Sequence, residues 1–147
     1  MTELLCLGLS HQTAPVAVRE QLALAPEQQE QLLRQLSTHR AEAMLVSTCN
    51  RVEFYLVAVD VQQAKTAVVD EISARAGAAA TAHIYEHHGD AALVHLFRVS
   101  SSLDSMVVGE AQILGQVKDA FELAQRVGAA GGELTRVCSA AFAAAKR

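Results

Sequence analysis

The chain has 147 residues, 51% of them hydrophobic, with no Trp and a formal net charge of −4, which supports one domain, or two small ones sharing a core, that folds without disulfide or metal staples. No apolar run approaches the roughly 18 residues of a membrane span, and no basic segment followed by an apolar stretch marks a secretory signal. A pI near 5.8 argues against a freestanding nucleic-acid binder while leaving room for a local RNA contact.

Residues 3–10 are short and mostly apolar and read as a first strand. His11-Gln-Thr-Ala-Pro15 breaks it, and a short helical piece is expected over 16–23. Pro26 opens a helix, with Glu27 favourable in its first turn; Leu32, Leu33 and Leu36 mark its buried side, and its end is expected near Arg40. Two strand-like runs, 43–46 and 52–57, flank the polar stretch Ser47-Thr48-Cys49-Asn50-Arg51. That is a hairpin pattern, and Asn50 suits a tip at positive φ. Asp60, with Gln63 three residues on, caps a helix striped by Val61, Ala64, Val68 and Ile72 and stopped by Gly77. Residues 82–87 are a weaker strand candidate. The order β-α-β-β-α-β is the split, ferredoxin-like arrangement, an α+β class with an antiparallel sheet and helices expected on one face.

From Gly89 onward the pattern is helical. Asp90 is expected to cap a helix with Leu93, Leu96 and Phe97 on its inner face. A longer helix is expected to start near Glu110, with the stripe Ile113, Leu114, Val117, Phe121 and Ala124. A turn at 128–132 leads to a last helix that meets no stop signal before Arg147, and so reads as a truncated helix. The expected division is a ferredoxin-like catalytic subdomain over 1–88 and a helical subdomain over 89–147 that completes the active site.

Three cysteines, at 6, 49 and 138, give an odd count without metal spacing and fit a reducing cytoplasm. Cys49 stands apart because a polar turn beside Arg51 places a thiol as a nucleophile, positive charge favouring the thiolate. On its helix His95 lies about 160° from the Leu93–Phe97 face at 3.6 residues per turn. It is therefore expected either in solvent or turned onto the Cys49 tip as a proton-transfer partner. Ser105, Glu110, Gln112 and Gln116 form a second cluster, a few polar groups on an otherwise apolar wall. His83, His87 and His88 lie close in sequence but lack an H-E-x-x-H pattern, so no metal site is assigned. No Gly-rich phosphate loop is present.

The motifs Gly8-Leu-Ser-His-Gln-Thr-Ala-Pro15 with Arg19-Glu20, Leu45-Val-Ser-Thr-Cys-Asn-Arg51 with Glu53 and Tyr55, His95-Leu-Phe-Arg98-Val-Ser, Leu103-Asp-Ser105 and Gly109-Glu110-Ala-Gln112-Ile-Leu-Gly-Gln116-Val-Lys118 together resemble the N-terminal, catalytic domain of glutamyl-tRNA reductase. The resemblance covers essentially the whole chain. It implies that Cys49 is the nucleophile, that its thiolate takes the glutamyl group from glutamyl-tRNA(Glu) as a thioester, and that NADPH then reduces this to glutamate-1-semialdehyde on the route to 5-aminolevulinate and tetrapyrroles. His95 falls on the catalytic-site histidine. Thr48, Asn50, Arg51, Ser105, Glu110, Ala111, Gln112 and Gln116 fall on substrate-binding positions. In glutamyl-tRNA the only free carboxylate is that of the side chain, and Arg51 is its expected bidentate partner. Ala111 stands where the family more often has Pro, and Ser102 where it often has Gly, which is expected to alter the turn before Leu103.

The resemblance further implies a cytoplasmic, membrane-free enzyme, a homodimer held through a helical domain lacking from this sequence, an NADPH site likewise lacking, glutamate-1-semialdehyde aminomutase as a candidate partner and haem as a candidate regulator. The fragment is therefore expected to stop short of reduction and to act as a slow esterase. The residues leave a second class open: a non-catalytic module that recognises a partner protein, tRNA or haem, with His11, His83, His87, His88 or a Cys as candidate axial ligands. A thiol hydrolase unrelated to tRNA would need a third residue to orient His95, and the sequence shows none.

Overall fold

Residues 1–38, 41–102 and 112–146 of the chain are described, from a computed structural model. Four strands, β1 (Glu3–Ser10), β2 (Ala41–Ser47), β3 (Arg51–Ala58) and β4 (Tyr85–His88), form one sheet in the order β2-β3-β1-β4. Every neighbouring pair is antiparallel. This is the ferredoxin-like βαββαβ order, and it puts β1 and β3 at the centre. The helices are α1 (Val16–Glu20), α2 (Pro26–Leu36), α3 (Val61–Ala76), α4 (Asp90–Ser100), α5 (Ile113–Arg126) and α6 (Gly132–Ala145).

Strand register sorts the side chains. Leu5, Leu7 and Leu9 of β1 oppose Leu56, Phe54 and Val52 of β3, and successive residues point to opposite faces. This apolar face is covered by α2, through Leu32, Leu33 and Leu36, and by α3, through Ala64, Val68 and Ile72. A Lys65–Glu86 ion pair at 2.9 Å ties α3 to β4 on the same side. The other face carries Cys6, Gly8 and Ser10 opposite Tyr55, Glu53 and Arg51, and α4 and α6 cover it. Cys138 Sγ of α6 lies 3.9 Å from Met44 Sδ of β2. Glu42 Oε1 accepts from the Gly131 and Leu134 amides at 2.7 and 2.9 Å, satisfying orphan donors at the start of α6. The Ala43 amide donates to Ala129 O at 3.0 Å, which occupies the edge of β2.

Helices therefore lie on both faces rather than one. β3 is buried at all eight positions, as a central strand covered on both faces is. Several boundaries also shift. α1 stops at Glu20 instead of 23, and α2 at Leu36 instead of near Arg40, which lies outside the described residues. Residues expected to begin the last strand belong to a 3-10 turn, Ala78–His83, and the strand starts at Tyr85. Gly89, at φ 56°, precedes α4, so Asp90 is its first residue and not its cap. α5 begins at Ile113, Glu110 lying outside the described residues. Its buried stripe takes in Leu123, and Leu114 is only half-buried. Asp60 does cap α3, accepting from the Gln63 amide at 3.0 Å, and Gly77 ends it at φ 90°.

Candidate functional site

The β2–β3 turn is fixed from inside and from outside. Within it, Thr48 Oγ1 accepts from the amides of Asn50 and Arg51, each at 3.2 Å, and the Thr48 amide donates to Arg51 O at 2.8 Å. Asn50 does not take a positive φ. Among the described residues Ser102, at 62°, is the non-glycine that does; the Cys49 turn is held instead by the Thr48 hydroxyl as a side-chain acceptor. From outside, the His11 amide donates to Asn50 O at 2.8 Å, and Arg19 Nη1 donates to Cys49 O at 2.5 Å while its Nε holds Ala14 O at 3.2 Å. The Cys49 side chain is exposed, and its sulfur has no hydrogen-bond partner among the described residues. The result is a rigid backbone presenting a free thiol.

Behind the turn lies a buried charge cluster. Arg51 is 1% exposed and Glu53 is 0% exposed. Arg51 Nη1 lies 3.3 Å from Glu53 Oε2. Tyr55 donates to Glu53 Oε1 at 2.7 Å, and Tyr85 donates to Oε2 at 2.5 Å. His95 Nε2 is also 2.5 Å from Oε2. Burial alone would raise the Glu53 pKa; the hydrogen bond and charge of His95, then the charge of Arg51, outweigh it and hold the carboxyl below its ordinary value. Burial, followed by the Glu53 charge, pushes both Tyr55 and Tyr85 upward, so both stay phenols and donate. Gly8 makes the packing possible: a Cβ there would sit 2.8 Å from Glu53 Cγ and 2.9 Å from Val52 O.

His95 is thus not in solvent. It is 9% exposed, and no hydrogen bond joins it to Cys49. The buried side of α4 runs through Ala92, His95, Leu96, Val99 and Ser100, whereas Leu93 and Phe97 are only half-buried. Leu96 lies inside as expected, but the buried stripe is rotated toward Ala92, His95 and Val99, which leaves Leu93 and Phe97 at its margin. The His95 ring stacks on His87 with centroids 4.4 Å apart and meets Tyr85 edge-on at 5.6 Å. These three rings, with Ser10, Thr13 and Arg98, line a cleft of about 540 Å³. The loop after β1 forms its rim, and the same loop, through His11, holds the Cys49 turn. Both ring nitrogens of His11 are buried without a partner, and nothing among the described residues explains them.

Arg51, the expected grip for a substrate carboxylate, is enclosed and already paired with Glu53 in this structure. Gln112 and Gln116 are exposed. Gln116 and Ser47 line a second groove, of about 380 Å³, between α2 and α5. Ser105, Glu110 and Ala111 lie outside the described residues. His83 sits in the 3-10 turn, and His88 pairs with Glu3 and Glu86. The donor atoms of Cys6, Glu53 and His95 lie within 4.8 Å of one another, but the Arg51 cation and two phenolic protons already occupy the carboxylate. Sequence reasoning placed Glu53 and Arg19 in the motifs without giving either a role, and passed over Tyr85. For Glu53 a signal existed: Arg51, Glu53 and Tyr55 recur with period 2 in an otherwise apolar strand, which places all three on one face.

Fold and site together define a ferredoxin-like α+β domain that offers one exposed, backbone-anchored cysteine beside a histidine-lined cleft. Residues 7–147 match the family model of the glutamyl-tRNAGlu reductase N-terminal domain, and the chain belongs to that family. It is 58% identical over 145 residues to the glutamyl-tRNA reductase of Myxococcus xanthus, covering 99% of this chain and 33% of that protein. To the Deinococcus radiodurans glutamyl-tRNA reductase it is 44% identical over 144 residues, covering 96% and 39%. The solved glutamyl-tRNA reductase of Methanopyrus kandleri superposes with a TM-score of 0.75 at 30% identity, over 98% of this chain and 33% of that one. The chain therefore spans about a third of the length of the relatives it matches.

Proposed function

We propose that this chain is the acyl-transfer module of a glutamyl-tRNA reductase acting in tetrapyrrole biosynthesis. The observation that carries the reading is the Cys49 turn: an exposed thiol without a hydrogen-bond partner among the described residues, its backbone pinned by Thr48, His11 and Arg19. The Cys49 thiolate attacks the ester carbonyl of glutamyl-tRNA(Glu). The bond to the ribose oxygen breaks, that oxygen leaves with a proton as the free tRNA terminus, and a glutamyl thioester remains on sulfur. A thioester accepts hydride more readily than an ester, which is the gain from covalent catalysis.

Thr48 closes the turn and Asn50 shapes it. Gln116, with Gln112, Ser105, Glu110 and Ala111, belongs to the proposed glutamyl pocket. Arg51 is the proposed partner of the substrate's side-chain carboxylate. His95, on the cleft wall, handles the proton.

NADPH, when bound, supplies the hydride that turns the thioester into glutamate-1-semialdehyde. The chemistry derived for this chain's own residues ends at the thioester. No helix among the described residues is long and apolar enough to cross a membrane, which accords with a cytoplasmic enzyme. A homodimer of the longer protein, an encounter with glutamate-1-semialdehyde aminomutase and regulation by haem belong to the same proposal through family resemblance.

The test is single-turnover deacylation of glutamyl-tRNA(Glu) by this chain. Release of glutamate faster than with Cys49→Ser supports the reading. Equal rates would favour a non-catalytic binding module.

A further inference from the structure

We propose that Glu53 is a positioning residue for His95: it pins Nε2 so that Nδ1 faces the cleft as the proton-transfer atom. The geometry favours an ionised Glu53. Tyr55 and Tyr85 donate to it and the Arg51 guanidinium, which can only donate, lies beside it, and an ionised carboxylate accepts from all three and can itself only accept. The hydrogen between Glu53 Oε2 and His95 Nε2 therefore sits on nitrogen. The remaining ring nitrogen, Nδ1, has no hydrogen-bond partner among the described residues. It is also absent from the fully enclosed unpartnered side-chain atoms, which are the two His11 nitrogens and Ser100 Oγ. Since His95 lines the cleft, Nδ1 is open to it.

The ring cannot turn away. His87 stacks on its face at 4.4 Å, Tyr85 meets it edge-on at 5.6 Å, and Glu53 holds its far nitrogen. A buried carboxylate that fixes the tautomer and aim of an imidazole is the third orienting group a thiol–histidine site requires. Glu53 can hold that place because β3 is central, because Gly8 opposite it lacks a side chain, and because Arg51 neutralises it.

The proposal has a spectroscopic half, which stands alone, and a kinetic half, which rests on the acyl-transfer reading. For the first, ¹⁵N-histidine spectra of this chain should show His95 protonated at Nε2, with a downfield, slowly exchanging Nε2 proton that disappears in Glu53→Gln. A His95 protonated at Nδ1 alone, or an Nε2 proton unaffected by Glu53→Gln, overturns the proposal. Titration with zinc chloride should leave the Nε2 signal in place. Its loss at one equivalent of zinc would make Cys6, Glu53 and His95 metal ligands instead and also overturn it.

For the second half, Glu53→Gln should slow single-turnover deacylation of glutamyl-tRNA by about 10²-fold or more, while iodoacetamide alkylates Cys49 at the wild-type rate. Deacylation at the wild-type rate in a folded Glu53→Gln contradicts it. If Glu53→Gln does not fold, Tyr85→Phe substitutes: it keeps the charge, removes one donor from Oε2, and should retain the Nε2 signal with faster exchange, an unchanged exchange rate counting against the clamp. A wild-type chain that never deacylates glutamyl-tRNA sinks the functional reading but leaves the spectra to decide on Glu53.

Discussion

On one face of the sheet, Leu5, Leu7 and Leu9 meet Val52, Phe54 and Leu56 beneath α2 and α3. On the other, the intervening residues of the same two strands are Cys6, Gly8 and Ser10 against Arg51, Glu53 and Tyr55, beneath α4. Both faces are buried, yet they are held differently. Each leucine on the first face contributes about 1.5–3 kcal/mol through burial alone. On the second face an enclosed carboxylate and guanidinium lose their hydration and regain it only through each other and through the Tyr55, Tyr85 and His95 contacts, so the cluster contributes little net stability while every member depends on the rest. What that face gains is a fixed imidazole next to a cleft. One face holds the fold; the other spends packing on a site.

Breaking each face separates the two roles. Glu53→Ala strands a buried Arg51 and should cost about 3–5 kcal/mol in urea unfolding. Leu7→Ala should cost about 2–5 kcal/mol through its cavity and leave Cys49 chemistry per folded molecule unchanged. A Leu7→Ala that silences Cys49 would mean that the faces are not independent.

Acid sharpens the contrast. The Glu53 carboxyl is lower in the folded chain than its ordinary 4.5, so the unfolded chain binds that proton more readily and the carboxylate stabilises the fold fully above that value. This contribution is lost as pH falls through the folded value. The stability gap between wild type and Glu53→Gln should therefore narrow below about pH 4.5, whereas the Leu7→Ala gap should stay constant with pH.

Gly8→Ala drives a methyl group into Glu53 Cγ and Val52 O and should cost about 1–3 kcal/mol, with the downfield Nε2 proton of His95 shifted or lost. The smallest effect is at the end of α4. Ser102 takes φ 62°, so Ser102→Gly should raise stability by about 1 kcal/mol without touching either face. The resemblance had marked Ser102 as standing where glycine is common, and the left-handed conformation gives that difference a physical meaning.

The strand that carries the site was legible in the sequence for reasons the faces explain. Glu3–Ser10 and the hairpin are short apolar runs bounded by polar breaks, and β1 was read to the residue. Cys49 stood out because a lone thiol on a polar turn has no packing role. Glu53 was hidden because one carboxylate in an apolar run looks like a solvent-facing position until β3 is known to be central, and centrality comes from strand order rather than from β3 itself. His95 was misplaced because the buried stripe of α4 is rotated toward Ala92, His95 and Val99, which leaves Leu93 and Phe97 at its margin. The partner residues of the clamp come from three separate segments, β3, β4 and α4, and no local pattern links Tyr85 or His95 to Glu53.

The measurement that tests the central claim most directly is intact-mass spectrometry of this chain, acid-quenched during a single turnover with glutamyl-tRNA(Glu). The account predicts one glutamyl adduct, mapped to Cys49 and absent from Cys49→Ser, with the buried Cys6 and Cys138 unmodified; burial, then the Glu42 charge, pushes the Cys138 thiol up to about 12. An adduct on another residue, or tRNA deacylated without any adduct in either protein, would contradict it.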